Sequence, residues 1–495
     1  MRVLLIDPPF YRFIGYFNRY FPLGLSSLAA AVRAAGHEVL VYDADANRRP
    51  FRMDYTRMGE SYPAYLGAVN DPGHPAWAEA RAVIRAFAPD VVGISVWTLF
   101  VASAVRLAAT VKSALPGVPV VAGGPHATIA ADELLRAAHE FDCAVRGEAE
   151  ETLPRLLPLL SGGGDLRGIP GVSFRTGGDI VHNPDAPFLQ DLDTAPFPAR
   201  EMLHHRRVYD AEDMGLLLTS RGCPFRCSYC ATAMWRRVVR YRSPDHVIAE
   251  IRAVRARYGT VRFALKDDSF TVDPDRTAAF CERLLSAGVR ISWECNMRAD
   301  QADAGLLRLM RRAGCDSVKV GIESGSPRVL ELMRKGITLE QSRRAARLFR
   351  EVGLHWTGYF LVGIPSETAA EMERTLDFMR ELDPDMALLG VYEAYPGTEL
   401  FKHGVDAGIV LPSLNRDLYF SRTPDDLYLR EPGRRSDALA PPEFARVVGR
   451  ICREFHRHNR HPRRLFRLGR TRVPMYLADP RAALGDLRKL AGWWR

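Results

Sequence analysis

An α/β chain in three parts is what this sequence predicts: a doubly wound parallel sheet, then a partial barrel of strand–helix units, then a mostly helical C-terminal unit. Three observations predict it. Short apolar runs alternate with helix-periodic stretches through the first 150 residues. A Gly/Pro-rich interval from Ser161 to about Pro198 breaks that pattern. A second alternating series begins near Leu216. A chain of 495 residues is too long for one core. The expected units are 1–155, a linker at 156–210, the barrel at 211–403 and the C-terminal unit at 404–495.

Val3–Ile6, Val39–Tyr42, Val91–Val96, Val118–Ala122 and Cys143–Val145 read as parallel strands buried on both faces. Leu25–Ala35, closed by Gly36, and Ala102–Leu115 read as helices between them. Strands in this order suggest a sheet of flavodoxin (Rossmann-like) type. The linker carries "SGGGD", "GIPG" and "TGGD", with a small hairpin around Val172–Val181. The second series has strand candidates at Leu216–Ser220, Val261–Leu265, Ile291–Cys295, Ser317–Ile322, His355–Val362 and Met386–Tyr392. Pro244–Tyr258, Asp273–Ala287 and Thr338–Val352 are helices of that series. Six such units are too few for a closed eightfold barrel, so an open (β/α)6 barrel of TIM type is expected, with function at the strand C-termini.

No uncharged apolar run approaches the roughly 18 residues of a membrane span. "MRVLLIDPPF" reads as a first strand, not a signal peptide. Eight cysteines in so long a chain argue against a disulfide scaffold and for a reducing compartment, so the expected location is cytoplasmic. The net charge is +9. Between Arg446 and Arg472 only Glu454 opposes the many arginines. That run reads as a solvated helix more readily than as a nucleic-acid site, because no interleaved aromatics accompany it.

"RGCPFRCSYC" sets Cys223, Cys227 and Cys230 on a loop past the first barrel strand. Three thiolates hold three irons of a [4Fe–4S] cluster and leave the fourth open. A zinc site would need a fourth ligand, and His204 and His205 precede the loop. Cys281, Cys295, Cys315 and Cys452 are scattered and read as packing residues, Cys295 lying nearest the site.

The triplet, with Tyr229 before its last cysteine, resembles the signature loop of radical S-adenosylmethionine (SAM) enzymes. The resemblance runs from about Leu216 to Leu400 and implies that SAM chelates the open iron and is cleaved by one electron to a 5′-deoxyadenosyl radical. It implies SAM contacts from Tyr229, from Asp267 and Asp268 in "KDDSFTVD", from Arg298 in "WECNMRAD", from Glu323 and Ser324 in "VGIESGS", and from Gly363, Ile364 and Pro365 in "GYFLVGIPSET". Tyr359 and Tyr395 are candidate substrate contacts at the barrel mouth.

Residues 1–150 resemble the cobalamin-binding domain that one subgroup of this family carries. The pair "GGPHAT" and "RGEAEETL" carries that resemblance, with "SVWTL" as a third strand-end loop. It implies cobalamin contacts from Pro9, Ser95, Trp97, Thr98, Gly123, Gly124, Pro125, His126, Gly147 and Glu148. His126 either meets the nucleotide tail or caps a helix. Many such domains have Asp-x-His-x-x-Gly after the first strand, the His ligating cobalt. Here Asp7-Pro8-Pro9-Phe10-Tyr11-Arg12 puts Pro9 in the His position, so no protein His ligand is expected. Trp97 either covers that lower face or is a core residue.

The resemblance implies a C-methyltransferase. One SAM methylates cob(I)alamin; a second yields the radical that takes hydrogen from an unactivated carbon; the carbon then takes methyl from methylcobalamin. The alternative keeps the cofactors but forms or contracts a ring, or oxidises, without net methylation. An RNA methylthiotransferase needs three further cysteines upstream, and only Cys143 precedes Cys223. A cobalamin sensor would not need the triplet. The expected partners are a small-molecule or carrier-bound substrate and an electron donor such as flavodoxin or ferredoxin; nucleic acid is not expected, and the sequence is silent on oligomeric state.

Overall fold

Seven strands form the first sheet: β1 (Arg2–Asp7), β2 (Glu38–Asp43), β3 (Val91–Ser95), β4 (Val120–Gly123), β5 (Cys143–Val145), β6 (Val172–Thr176) and β7 (Asp179–His182). The computed structural model describes residues 1–16, 21–46, 55–235 and 237–462, with isolated positions beyond. The spatial order is β2-β1-β3-β4-β5-β6-β7. Strands β1 to β5 run parallel, the doubly wound arrangement the sequence predicts. In β1, Val3 and Leu5 enter one core while Leu4 and Ile6 enter another, so both faces are buried.

The hairpin expected in the linker belongs instead to this sheet. β6 pairs antiparallel with β5, and β7 with β6. Buried Val172 and Phe174 attach it, and it covers an edge of β5 that would otherwise be an open hydrogen-bonding ladder.

The second sheet contains β8 (Leu216–Leu217), β11 (Arg262–Leu265), β12 (Ser292–Arg298), β13 (Cys315–Glu323), β14 (His355–Val362) and β15 (Met386–Val391), all parallel, in the order β15-β14-β13-β12-β11-β8. This is the open partial barrel. β9 (Ser220–Arg221) and β10 (Arg240–Tyr241) form a separate antiparallel pair. The strand expected over Leu216–Ser220 is therefore broken. The cause is Asp267, whose carboxylate accepts the Thr219 N–H at 2.6 Å and the Ser220 N–H at 3.0 Å and so turns the chain out of the sheet.

The C-terminal unit is not one body. Its first part straps the N-terminal sheet: Leu414, Tyr419 and Tyr428 join that core. Glu133 anchors the strap, accepting the Leu414 N–H at 2.8 Å and the Tyr419 and Tyr428 hydroxyls at 2.9 and 2.7 Å. The helix Pro441–Asn459 turns Phe444, Val448, Ile451 and Phe455 onto the barrel. Asn459 seals the β15 edge, donating to the Ala387 carbonyl and accepting its N–H, both at 2.8 Å. Three arginines of the basic run are paired with distant acids: Arg450 with Glu373, Arg464 with Asp383, and Arg472 with Glu212. Among the described residues no helix is long and apolar enough to cross a membrane.

Candidate functional site

Cys223, Cys227 and Cys230 are free thiols, half-buried, on the loop after β9. Gly222 makes the loop possible. It has φ +97°, and a Cβ there would lie 2.0 Å from the Val238 carbonyl oxygen. Ser228 fixes the loop's far end, its N–H donating to the Met333 carbonyl and its hydroxyl to that of Leu332. Burial pushes the Cys223 thiol up to about 11. Burial also raises Cys227, while Lys335 and Arg298 pull it back down. Those two cations favour thiolates and an anionic cluster. His204 and His205 pack instead against Tyr42, with His205 Nε2 3.3 Å from Glu79, and supply no fourth ligand. Among the described residues no three His, Cys, Asp or Glu side chains converge on a single ion. Three thiols on one short loop, with no histidine beside them, are the donor set of a multi-iron cluster, whereas a structural zinc takes four ligands.

Around this loop the structure sorts the predicted SAM residues. Asp268 is exposed and close enough to raise the Cys223 pKa. Glu323 sits at a β-bulge in β13 with φ +67°, strained backbone for a non-glycine residue, and reaches Lys335 Nζ at 2.7 Å. Lys335 Nζ also lies 3.4 Å from the Tyr229 hydroxyl. Gly321 leaves room for this pair, because a Cβ there would meet both side chains.

Others do not present themselves. Asp267 is fully buried and spent on Thr219 and Ser220, so it positions the loop rather than meeting a ligand. Ser324 is fully buried and bonds Thr375 at 3.1 Å. Arg298 is committed to Asp300 through two 3.0 Å bonds, and its guanidinium lies 3.7 Å over the Phe225 ring of the cysteine loop. It therefore braces that loop. Gly363, Ile364 and Pro365 are buried, and the glycine is required by Phe444, which a Cβ would approach to 2.8 Å. Cys295 is buried beside Cys315, as a packing residue.

In the N-terminal sheet, Trp97 is 48% exposed and so is not a core residue. It caps a near-parallel stack: Trp97 on Phe100 at 6.3 Å, and Phe100 on buried Phe10 at 5.0 Å. Gly123 and Gly147 face open space where a Cβ would stand. Such a cradle leaves room for a flat ligand against backbone. Gly124 is different, needed by the protein itself, since a Cβ would lie 3.1 Å from Val96 backbone atoms. Ser95 and Pro125 are half-buried beside it. Pro9 is buried, and its loop is pinned by Asp45, which accepts the N–H groups of Phe10, Tyr11 and Arg12 at 2.7–3.1 Å. No histidine stands in that loop.

His126 is fully buried, with Nδ1 3.1 Å from Thr98 Oγ1, and burial lowers it to about 4. It is neutral and ties two loops, and Thr98 is buried with it. Glu148 is buried in ion pairs with Arg221 and Arg240.

The strand C-termini of the two sheets meet. Glu148 and Glu150, after β5, hold Arg221 at 3.2 and 2.6 Å. A Cβ on Gly397, after β15, would touch Ile129. Past β15 stands a residue the sequence does not single out, Glu393, which accepts the Tyr395 hydroxyl at 3.0 Å. Burial, then Asp425, pushes Glu393 up to about 7, Arg435 opposing. Tyr62 and Tyr395 feel its charge. Lys335 was missed too. Position signals Glu393, at a strand end in "YEAYPGT", whereas nothing marks Lys335 in "RKG". Tyr359 is half-buried on β14.

Residues 217–379 match the Radical SAM superfamily and residues 16–157 match the B12 binding domain. An uncharacterised methyltransferase of Pyrococcus horikoshii is 33% identical over 417 residues, covering 83% of this chain and 84% of its own. An anaerobic magnesium-protoporphyrin IX monomethyl ester cyclase of Rubrivivax gelatinosus is 30% identical over 66% of this chain and 60% of its own. Among solved structures, the radical SAM methyltransferase TsrM of Kitasatospora setae, with cobalamin and a [4Fe–4S] cluster bound, covers 92% of this chain and 88% of its own at TM-score 0.66 and 19% identity. The cobalamin-dependent SAM radical enzyme OxsB covers 92% of this chain and 61% of its own at TM-score 0.59 and 17% identity. These two share the fold.

Proposed function

We propose a reaction for this chain from one premise: it belongs to the cobalamin-dependent radical SAM enzymes, whose cofactors are a [4Fe–4S] cluster, SAM and cobalamin. The reaction is methyl transfer from SAM, by way of cobalamin, to a substrate carbon that carries no acidic proton. The cluster supplies the electron that splits SAM, and cobalamin carries the methyl group. Such a carbon offers nothing for a general base to remove, which is why radical chemistry suits it.

One observation carries this reading. The half-buried cysteine triplet and the open glycine cradle beside exposed Trp97 lie on strand ends that face each other across the Glu148–Arg221 contact. Cys223, Cys227 and Cys230 hold the cluster. Tyr229, Asp268 and Glu323 bind SAM, with Lys335 setting Glu323 in place. Ser95, Gly123, Gly147 and Trp97 would receive cobalamin, with Trp97 as an apolar cover and no histidine in the loop after β1. Tyr395 and Tyr359 contact the substrate. Pro224 and Arg226, exposed on the cluster loop, are open to a small electron donor such as flavodoxin or ferredoxin.

Ring formation without net methylation is the second reading, favoured by the cyclase relative. Anaerobic incubation with methyl-labelled SAM, reductant and candidate substrates separates the two. Cobalamin-dependent S-adenosylhomocysteine and a product heavier by one labelled methyl support methylation. 5′-Deoxyadenosine with an unlabelled, altered product supports ring formation.

A further inference from the structure

Glu148 sits where the two halves of the site are joined. Its carboxylate takes both Arg240 guanidinium nitrogens, Nη1 on Oε2 at 2.8 Å and Nη2 on Oε1 at 2.7 Å. Its Oε1 also meets Arg221 Nη1 at 3.2 Å, and its Oε2 accepts the Leu189 N–H at 2.9 Å. Arg221 is shared with Glu150 at 2.6 Å. Arg221 and Arg240 face each other across the β9–β10 pair. Glu148 and Arg240 are both less than a tenth exposed, so these bonds are shielded from solvent and salt.

Both ends of this cluster run directly into the candidate cofactor loops. On one side Glu148 follows Gly147, whose N–H donates to Thr128 Oγ1 at 3.0 Å, and Thr128 Oγ1 donates to the Gly124 carbonyl at 2.9 Å. On the other side Arg221 precedes Gly222 and Cys223, and Gly222 cannot shift toward Val238 because their backbones already touch. A displacement of the cradle around Gly124 and Gly147 is thus passed to the first cysteine by two routes: single ion pairs from Glu148 and Glu150 to Arg221, and the buried bidentate Glu148–Arg240 pair, which reaches Arg221 through the β9–β10 backbone pairing.

We propose that Glu148 and Glu150, through Arg221 and Arg240, couple the cobalamin cradle to the cysteine loop, so that filling one site raises the affinity of the other. They are positioning residues. The proposal rests on this chain binding both cofactors, and not on the identity of the product. Reciprocity is required of any such coupling, and its usual size is about fivefold or more.

The test reads binding. Hydroxocobalamin is titrated by absorbance into full-length protein, once with the cluster reconstituted and once cluster-free. The wild-type protein is expected to bind at least about fivefold more tightly when the cluster is present. Glu148→Gln keeps the shape but not the charge, and the ratio is expected to fall to near one with unchanged far-UV circular dichroism. Glu150→Gln, at the more exposed carboxylate, is expected to lower the ratio in part and serves if Glu148→Gln does not fold. Arg416→Ala, on the strap, breaks a different ion pair, to Glu140 of the N-terminal domain, and is expected to leave the ratio unchanged. A wild-type ratio near one, or a ratio untouched by both glutamine variants, would overturn the coupling. Failure to bind hydroxocobalamin in either state would overturn the proposed function with it.

Discussion

Lys335 Nζ stands 2.7 Å from Glu323 Oε1, and the carboxylate it holds belongs to a residue in left-handed backbone at the end of β13. A buried carboxylate that loses its cation costs about 3–5 kcal/mol. Lys335→Met is therefore expected to lower unfolding free energy by about that amount in urea titrations. Adding Glu323→Gln is expected to restore part of the loss, since the uncompensated charge goes too. Simple additivity of the two losses would rule the pair out as a unit.

Trp97 offers the most direct probe of the cobalamin face. Its indole is 48% exposed, so Trp97→Ala is expected to cost less than about 1 kcal/mol. Trp97→His places an imidazole at the same position. The expected result is a nitrogen-ligated cobalt signature, a shifted visible spectrum and nitrogen hyperfine splitting in the reduced paramagnetic form. A spectrum identical to wild type would mean that Trp97 does not lie over the cobalt.

The parallel strands of both sheets are legible in the sequence because strands buried on both faces are apolar throughout, as Val3–Ile6 is; that the Val172–Val181 hairpin extends the first sheet is not. The cysteine loop was legible for a chemical reason: three thiols at fixed short spacing have few other uses. What stayed hidden depended on which way a polar side chain turns. Asp267 and Asp268 are neighbours, yet one is fully buried on backbone amides and the other is open. Nothing local distinguishes them; the difference is the broken strand at Thr219, whose amide needed a partner. The burial of His126 against Thr98 is hidden in the same way, because it is set by the packing of two distant loops. Arg446, Arg453 and Arg457 on the basic helix are exposed, as a solvated face should be, whereas the acidic partners of Arg450, Arg464 and Arg472 lie far off in sequence and carry no local signal.

Replacing a cluster cysteine tests the loop without testing the fold. Cys223, Cys227 and Cys230 are half-buried and free, and no core rests on them. Cys227→Ser is expected to bring bound iron after anaerobic reconstitution close to zero, while the melting temperature of the iron-free protein stays within a few degrees of wild type. Cys295→Ser, at a buried site beside Cys315, is expected to do the opposite: iron retained, stability reduced by about 1–3 kcal/mol for an unsatisfied buried hydroxyl. Iron lost equally in both variants would contradict the assignment.

Glu367 gives a pH signature. It is fully buried, its Oε2 accepts the N–H groups of Gly363 and Ile364 at 2.5 and 3.2 Å, and its Oε1 has no partner. Burial outweighs those two bonds and pushes the carboxyl from 4.5 to about 7, with Glu371 adding to the rise and Arg328 opposing it. A folded-state value above the unfolded one means that the folded chain holds the extra proton. Its stabilising share is full below pH 4.5 and is lost as pH rises through about 7. Glutamine mimics the protonated acid. Glu367→Gln is thus expected to match wild type within about 1 kcal/mol at pH 5 and to exceed it by about 1–3 kcal/mol at pH 8. Urea unfolding at the two pH values measures this. An equal difference at both would show that Glu367 does not change protonation in this window, and a more stable wild type at pH 8 would show that the ionised carboxylate is the form the Gly363 turn prefers.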